Sequence, residues 1–135
     1  MLNLVLFQPE IPSNTGNLIR LSANMGANLH LIKPYGFEMN DKRLRRAGLD
    51  YKDLASVYEY DNFDDYLDKA YPSKLYLVSS KVSKNYTDIK YHNNDSFLFG
   101  SETKGLPKEI FDEYEGITVP MQDGSRSLNL SNCVS

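Results

Sequence analysis

Short apolar runs separated by polar loops set the rhythm of this chain. Residues 2–7, 29–32, 75–78 and 96–99 are brief apolar segments bounded by polar or turn-forming residues, the pattern of buried strands. Residues 55–58 and 117–119 repeat it more weakly. Residues 14–25 instead place Leu18, Ile19 and Leu21 on an apolar helical stripe, with Ser13 or Asn14 as cap and Gly26 as terminator. Residues 62–70 read as a helix turning Phe63, Tyr66 and Leu67 inward. Residues 107–114 form another, opening on Pro107, whose missing amide is not needed in a first turn. Segment 41–47 reads as a short helix stopped by Gly48, and the aperiodic polar stretch 79–94 as a long loop. Strands alternating with helices predict an α/β fold, a mostly parallel sheet with helices on both faces. No repeat or linker divides the chain, so residues 1–135 read as a single domain.

Composition narrows the function. No segment approaches a membrane-spanning length, and the apolar stretch 4–7 is too short for a signal peptide, so the expected location is the cytoplasm. A lone Cys133 rules out an internal disulfide and, far from His30 and His92, offers no metal-ligand spacing; no metal is expected. The net charge of −3 argues against indiscriminate nucleic-acid binding. Its distribution is uneven, with Lys42, Arg43, Arg45 and Arg46 packed together. Such a run is either a solvated helix face or a local phosphate-binding patch built on Arg43, Arg45 and Arg46.

Three polar segments follow predicted strands: Asn14-Thr-Gly-Asn-Leu-Ile-Arg20, Gly100-Ser-Glu-Thr-Lys-Gly-Leu-Pro107 and Ser125-Arg-Ser-Leu-Asn-Leu-Ser-Asn132. In open α/β sheets ligands bind beyond the carboxyl ends of the strands, so three polar loops there point to one composite site. Helix capping explains Ser127 or Asn129 alone, but not an Arg, two Ser and an Asn together. The Gly-x-x-x-x-Gly spacing at Gly100 and Gly105 is no phosphate loop, because Leu106 and Pro107 stand where Lys and Ser or Thr are required. No Gly-x-Gly-x-x-Gly follows the first strand, which argues against an ordinary dinucleotide fold. No histidine lies in the three segments to activate a serine. Asn14, Arg20, Glu102, Arg126, Ser127 and Asn129 remain, a set suited to orienting a polar substrate and stabilising developing negative charge.

These three segments resemble the three motifs of the SPOUT methyltransferases, the trefoil-knotted class. Within it the likeness is to minimal single-domain tRNA 2′-O-methyltransferases acting on cytidine or uridine at the wobble position. The opening Met1-Leu-Asn-Leu-Val-Leu-Phe-Gln-Pro-Glu-Ile-Pro and Asp41-Lys-Arg-Leu-Arg-Arg-Ala-Gly-Leu-Asp-Tyr51 share it, so the resemblance spans essentially the whole chain. It implies a deep C-terminal trefoil knot and S-adenosylmethionine as cofactor, leaving as S-adenosylhomocysteine. Val78, Gly100, Val119, Ser127 and Leu128 would line the cofactor pocket. Arg20 would stand beside the ribose 2′-hydroxyl, with Asn14, Glu102, Ser127 and Asn129 arranging the site. It also implies a homodimer that meets the tRNA anticodon stem-loop.

In the family an apolar helix follows the position of Asn132, whereas this sequence ends at Ser135. The expectation is a weakened dimer, a loosened pocket around Ser127 and Leu128, and low turnover. Two other readings stand beside wobble methylation: 2′-O-methylation at another tRNA or rRNA position, and a non-catalytic RNA-binding fragment.

Overall fold

The computed structural model of the protein describes residues 2–37, 56–78, 95–101 and 103–117. The basic segment 41–47, the loop 79–94 and everything beyond residue 117, including the expected knot, lie outside the described residues.

Strand β1 (Asn3–Phe7) is apolar on both sides, so it must be covered on both faces. Leu4 and Leu6 face one core cluster, Val5 and Phe7 the other. Helix α1 (Pro12–Met25) covers the first face with Leu18 and Ile19. Strands β2 (Asn28–Ile32) and β3 (Val57–Tyr60) then extend the sheet to one side. Helix α2 (Phe63–Ala70) covers the second face with Tyr66, and after β4 (Leu75–Val78) and β5 (Ser96–Phe99), helix α3 (Lys108–Glu113) joins it with Ile110. Strand β6 (Glu115–Ile117) completes a sheet ordered β3-β2-β1-β5-β4-β6, with every neighbouring pair parallel. Each fully buried Leu or Ile side chain contributes roughly 1.5–3 kcal/mol of transfer free energy. Among the described residues no helix is long and apolar enough to cross a membrane.

Element types match the sequence pattern, but several boundaries move. Helix α1 starts at Pro12 with Ile11 as its cap residue, so neither Ser13 nor Asn14 caps it. Proline takes the first helical position because no amide is required there, which draws the start two residues earlier. Gly26 ends the helix as expected, at φ 70°, with its own amide bonded to Ala23 O and that of Ala27 to Ser22 O. Strand β3 lies at Val57–Tyr60, not 55–58, because its register aligns Val57 with Leu29 and Tyr60 with Ile32. Pro107 caps α3 from outside it, and its carbonyl accepts from the amides of Ile110 and Phe111. Helix α2 begins as predicted, with Asn62 Oδ1 accepting from Asp65 N at 2.7 Å.

The second face also holds a buried polar cluster that apolar periodicity does not foresee. His30 Nε2 lies 3.1 Å from Asn3 Oδ1, and its Nδ1 lies 2.8 Å from the Tyr60 hydroxyl. Asn3 Oδ1 accepts, also taking a bond from Asn28 Nδ2, so Nε2 carries the proton and Nδ1 accepts from Tyr60. The ring stacks on Tyr58 and Tyr60. Burial pushes His30 down to about 4 from its ordinary 6.5.

As pH falls the unfolded chain therefore takes up this proton first. The stability that neutral His30 provides is complete above about 6.5 and drains away as pH drops towards about 4. Urea unfolding at about pH 7 and pH 5 should show the native protein losing about 2 kcal/mol more than His30→Gln over that interval. Equal losses would mean that His30 is protonated within the fold.

Candidate active site

The chain leaves β1 in one direction to build β2 and β3, and the strands on the other side of β1 are β5, β4 and β6. The order reverses between β1 and β5, and since all pairs are parallel, every carboxyl end falls on one edge of the sheet. A crevice opens at such a switch point because the loops on its two sides turn away from each other. Residues 8–11 and the amino end of α1 form one side here, and residues 100, 101 and 103–107 the other.

Both sides are tightly built. Gln8 holds φ 47°, a left-handed conformation unusual for a residue with a side chain, and its amide bonds to Ile32 O at 2.9 Å. Across the crevice, Ser101 and Gly105 exchange backbone hydrogen bonds of 3.3 and 3.0 Å, and Ser101 Oγ accepts from Lys104 N at 3.2 Å. Gly105 has φ 67° with open space around its missing Cβ. Gly100 is constrained differently, since a Cβ there would lie 2.5 Å from the Gly105 carbonyl carbon and 2.8 Å from Leu106 N. The two sides meet where Glu10 accepts from Thr103, whose amide lies 3.1 Å from Oε1 and whose hydroxyl lies 2.8 and 2.9 Å from the two carboxylate oxygens. The Thr103 hydroxyl, then its amide, hold the Glu10 carboxyl below its ordinary range, with help from Ser101 and Lys104.

Four of the residues selected from sequence are described. Val78 ends β4, buried, in register with Phe99 of β5 and Ile117 of β6, so it stands at the same edge as Gly100. Asn14, half-buried, lies in the first turn of α1 on the β1 side of the crevice. Arg20 stands apart. Segment 14–20 is helix throughout, as the apolar stripe over 14–25 predicts and not the polar loop also drawn there, because Thr15, Gly16, Leu18 and Ile19 all face the core. Arg20 therefore lies on the exposed face of α1, about 9 Å along its axis from Asn14. Glu102, Val119, Ser127, Leu128, Asn129, Arg43, Arg45 and Arg46 lie outside the described residues.

Glu10 and Thr103 were missed by sequence reasoning, although Pro9-Glu10-Ile11-Pro12 carried a signal: an acidic residue held between two prolines just past a strand. On the α2–α3 side of the carboxyl edge is a cavity of about 420 Å³ that includes Phe7, Gln8, Asp64, Glu109 and Glu113 in its lining. Its acidic members make it a poor seat for phosphate. A cavity of about 440 Å³ around Asn3, His30 and Ser96 lies towards the opposite end of the strands, where His30 and Asn3 satisfy each other.

A parallel sheet carrying a glycine-built loop at its switch point defines an α/β protein of the kind that binds ligands beyond the carboxyl ends of its strands. The profile of the SpoU rRNA Methylase family matches residues 1–135. The chain belongs to that family. A tRNA (cytidine(34)-2'-O)-methyltransferase of Yersinia pestis is 50% identical over 143 residues, covering 100% of this chain and 88% of that protein. A solved structure described as giving insights into the 2-OH methylation of C/U34 on tRNA superposes with a TM-score of 0.90 at 37% identity, over 99% of this chain and 89% of its own. The AdoMet-bound rRNA methyltransferase of Sinorhizobium meliloti has the same fold, with a TM-score of 0.82 at 23% identity over 97% of this chain and 51% of its own.

The two glycines should respond differently to an added methyl group. Gly100→Ala drives a Cβ into the backbone of Gly105 and Leu106, and should lower the free energy of unfolding by about 1–3 kcal/mol. Gly105→Ala meets open space and bears only its positive φ, at about 1 kcal/mol. Urea denaturation of both variants tests the order, and a larger loss at Gly105 would contradict this loop geometry.

Proposed function

We propose that this protein transfers a methyl group from S-adenosylmethionine to the ribose 2′-hydroxyl of nucleotide 34, the wobble position, of tRNA. One observation carries the reading: the full-length likeness, at 50% identity, to a tRNA (cytidine(34)-2'-O)-methyltransferase. The family description speaks of rRNA, but a relative that is 50% identical over the whole of this chain is named for tRNA, and the substrate is taken from it. The described edge fits the cofactor. Val78 and Phe99 close the core beneath it, and the Gly100–Gly105 turn brings bare backbone to the crevice, as a nucleoside approached through peptide groups requires.

When bound, S-adenosylmethionine supplies an electrophilic sulfonium methyl group. The chain's own work is to align the hydroxyl in line with that carbon and to assist loss of a weakly acidic proton. In this proposal Val78, Gly100, Val119, Ser127 and Leu128 hold the cofactor, while Asn14, Glu102, Ser127 and Asn129 orient the ribose. Arg20 stabilises the forming alkoxide. A guanidinium is a fixed cation and a poor base, so the proton passes to Glu102, water or a phosphate. Arg43, Arg45 and Arg46 contact the phosphates of the anticodon stem-loop. The proposal takes residues 1–135 as one domain that works as a homodimer, in the cytoplasm where tRNA is available.

Nucleoside mass spectrometry of tRNA incubated with the protein and S-adenosylmethionine should reveal 2′-O-methylcytidine or a 2′-O-methylated uridine at position 34. Methylation on a base atom would refute the reaction, and ribose methylation elsewhere would refute the position. Arg20→Lys should reduce turnover on the order of 100-fold while S-adenosylhomocysteine affinity, measured by calorimetry, stays within about 2-fold. Loss of cofactor binding in that variant would move Arg20 into the cofactor pocket.

A further inference from the structure

Glu10 is held from its backbone outward. Pro9 and Pro12 restrict the chain on either side of it. The Pro9 carbonyl accepts from Gly36 N at 2.9 Å, tying this segment to the loop after β2. The backbones approach so closely that a Cβ on Gly36 would lie 2.9 Å from Glu10 Cα and 3.0 Å from Glu10 O. A carboxylate anchored in this way is a rigid support, and it faces a loop on the other side of the crevice. Thr103 donates both its amide and its hydroxyl to it, across a sequence separation of 93 residues. Charge-assisted bonds of this kind are stronger than neutral ones. The Ser101–Gly105 exchange and the Lys104–Ser101 bond hold the loop's own shape, but they lie within it and cannot set its position relative to α1. Among the described residues the Glu10–Thr103 pair is a side-chain tie that spans the switch point.

We infer that Glu10 is a positioning residue for the cofactor loop: through Thr103 it holds Gly100, Ser101 and residues 103–105 at the distance from the amino end of α1 that S-adenosylmethionine binding requires. The inference rests on the methyltransferase reading. Its physical content is preorganisation. A loop already fixed in its bound arrangement loses less freedom when the ligand arrives, and that saving appears in affinity. Glu10 touches no reacting atom in this role, so its loss should raise KM and spare kcat. Thr103 is the relay, so the two side chains should act as one unit.

The test measures S-adenosylhomocysteine binding by calorimetry, with kcat and KM for S-adenosylmethionine, in the full chain. Glu10→Ala should raise both the Kd and the KM about 10-fold and leave kcat within about 2-fold. Glu10→Gln keeps the shape and one acceptor oxygen, so it should recover most of that loss and guards against a folding defect in the alanine variant. Thr103→Val should raise the Kd about 3-fold in the native background and have no further effect beside Glu10→Ala. Native-like cofactor affinity in Glu10→Ala, or independent effects of the two substitutions, would overturn the inference while leaving the methyltransferase reading intact. A fall in kcat at unchanged KM would overturn it too. If the unaltered protein fails to bind S-adenosylhomocysteine, the methyltransferase reading itself falls, and this role for Glu10 with it.

Discussion

The pairing of β1 on both of its edges is the constraint on which the rest of this structure depends. Leu6 stands in register with Leu31 of β2 on one side and Phe99 of β5 on the other. With Leu4 and Leu6 packed under α1 and Val5 and Phe7 under α2 and α3, the strand has no free face or edge. The chain leaves β1 for β2 and β3 on one side and sets β5, β4 and β6 on the other, so the strand order reverses beside β1. The crevice at the carboxyl edge follows from that reversal.

What occupies the crevice is backbone as much as side chain. Gly100 is obligatory because the Gly105 backbone already fills the place of its Cβ, and Gly105 is favoured because its φ is positive. Gln8 accepts a left-handed φ on the facing side. Such residues belong where a loop must turn sharply at the end of a strand and still leave room for a ligand. The Glu10–Thr103 pair then joins the two sides. Its bonds are exposed, so its worth lies in geometry more than in stability.

Charge divides this edge. Asp64, Glu109 and Glu113 lie on the α2–α3 side, while the exposed face of α1 carries Arg20. A chain of net charge −3 can therefore still present a favourable local surface to nucleic acid, because a phosphate responds to the charges within about 10 Å of it and little to the total.

Much of this was legible from residue order alone. Periodicity of two against periodicity of 3.6 separated strands from helices, and continuous apolar runs such as Leu4-Val-Leu-Phe7 implied a sheet covered on both faces. The motifs carried the family. Boundaries were less legible: Pro12 and strand register decided where α1 and β3 begin, and register is a property of the assembled sheet. The polar core at Asn3, His30 and Tyr60 was invisible, because a half-polar strand looks solvent-facing until its partners are known. Arg20 was grouped with the polar crevice residues as well as with the helix read over 14–25, and the core-facing residues of that helix turn its side chain outward. Sequence alone determined the order of strands and helices and the residue types available for chemistry, since both follow from local preference and burial pattern. Only the tertiary structure decided that Glu10 would meet Thr103 and that Gly100 would lie against Gly105, because those contacts exist only once the loops after β1 and β5 are brought to one edge of the sheet.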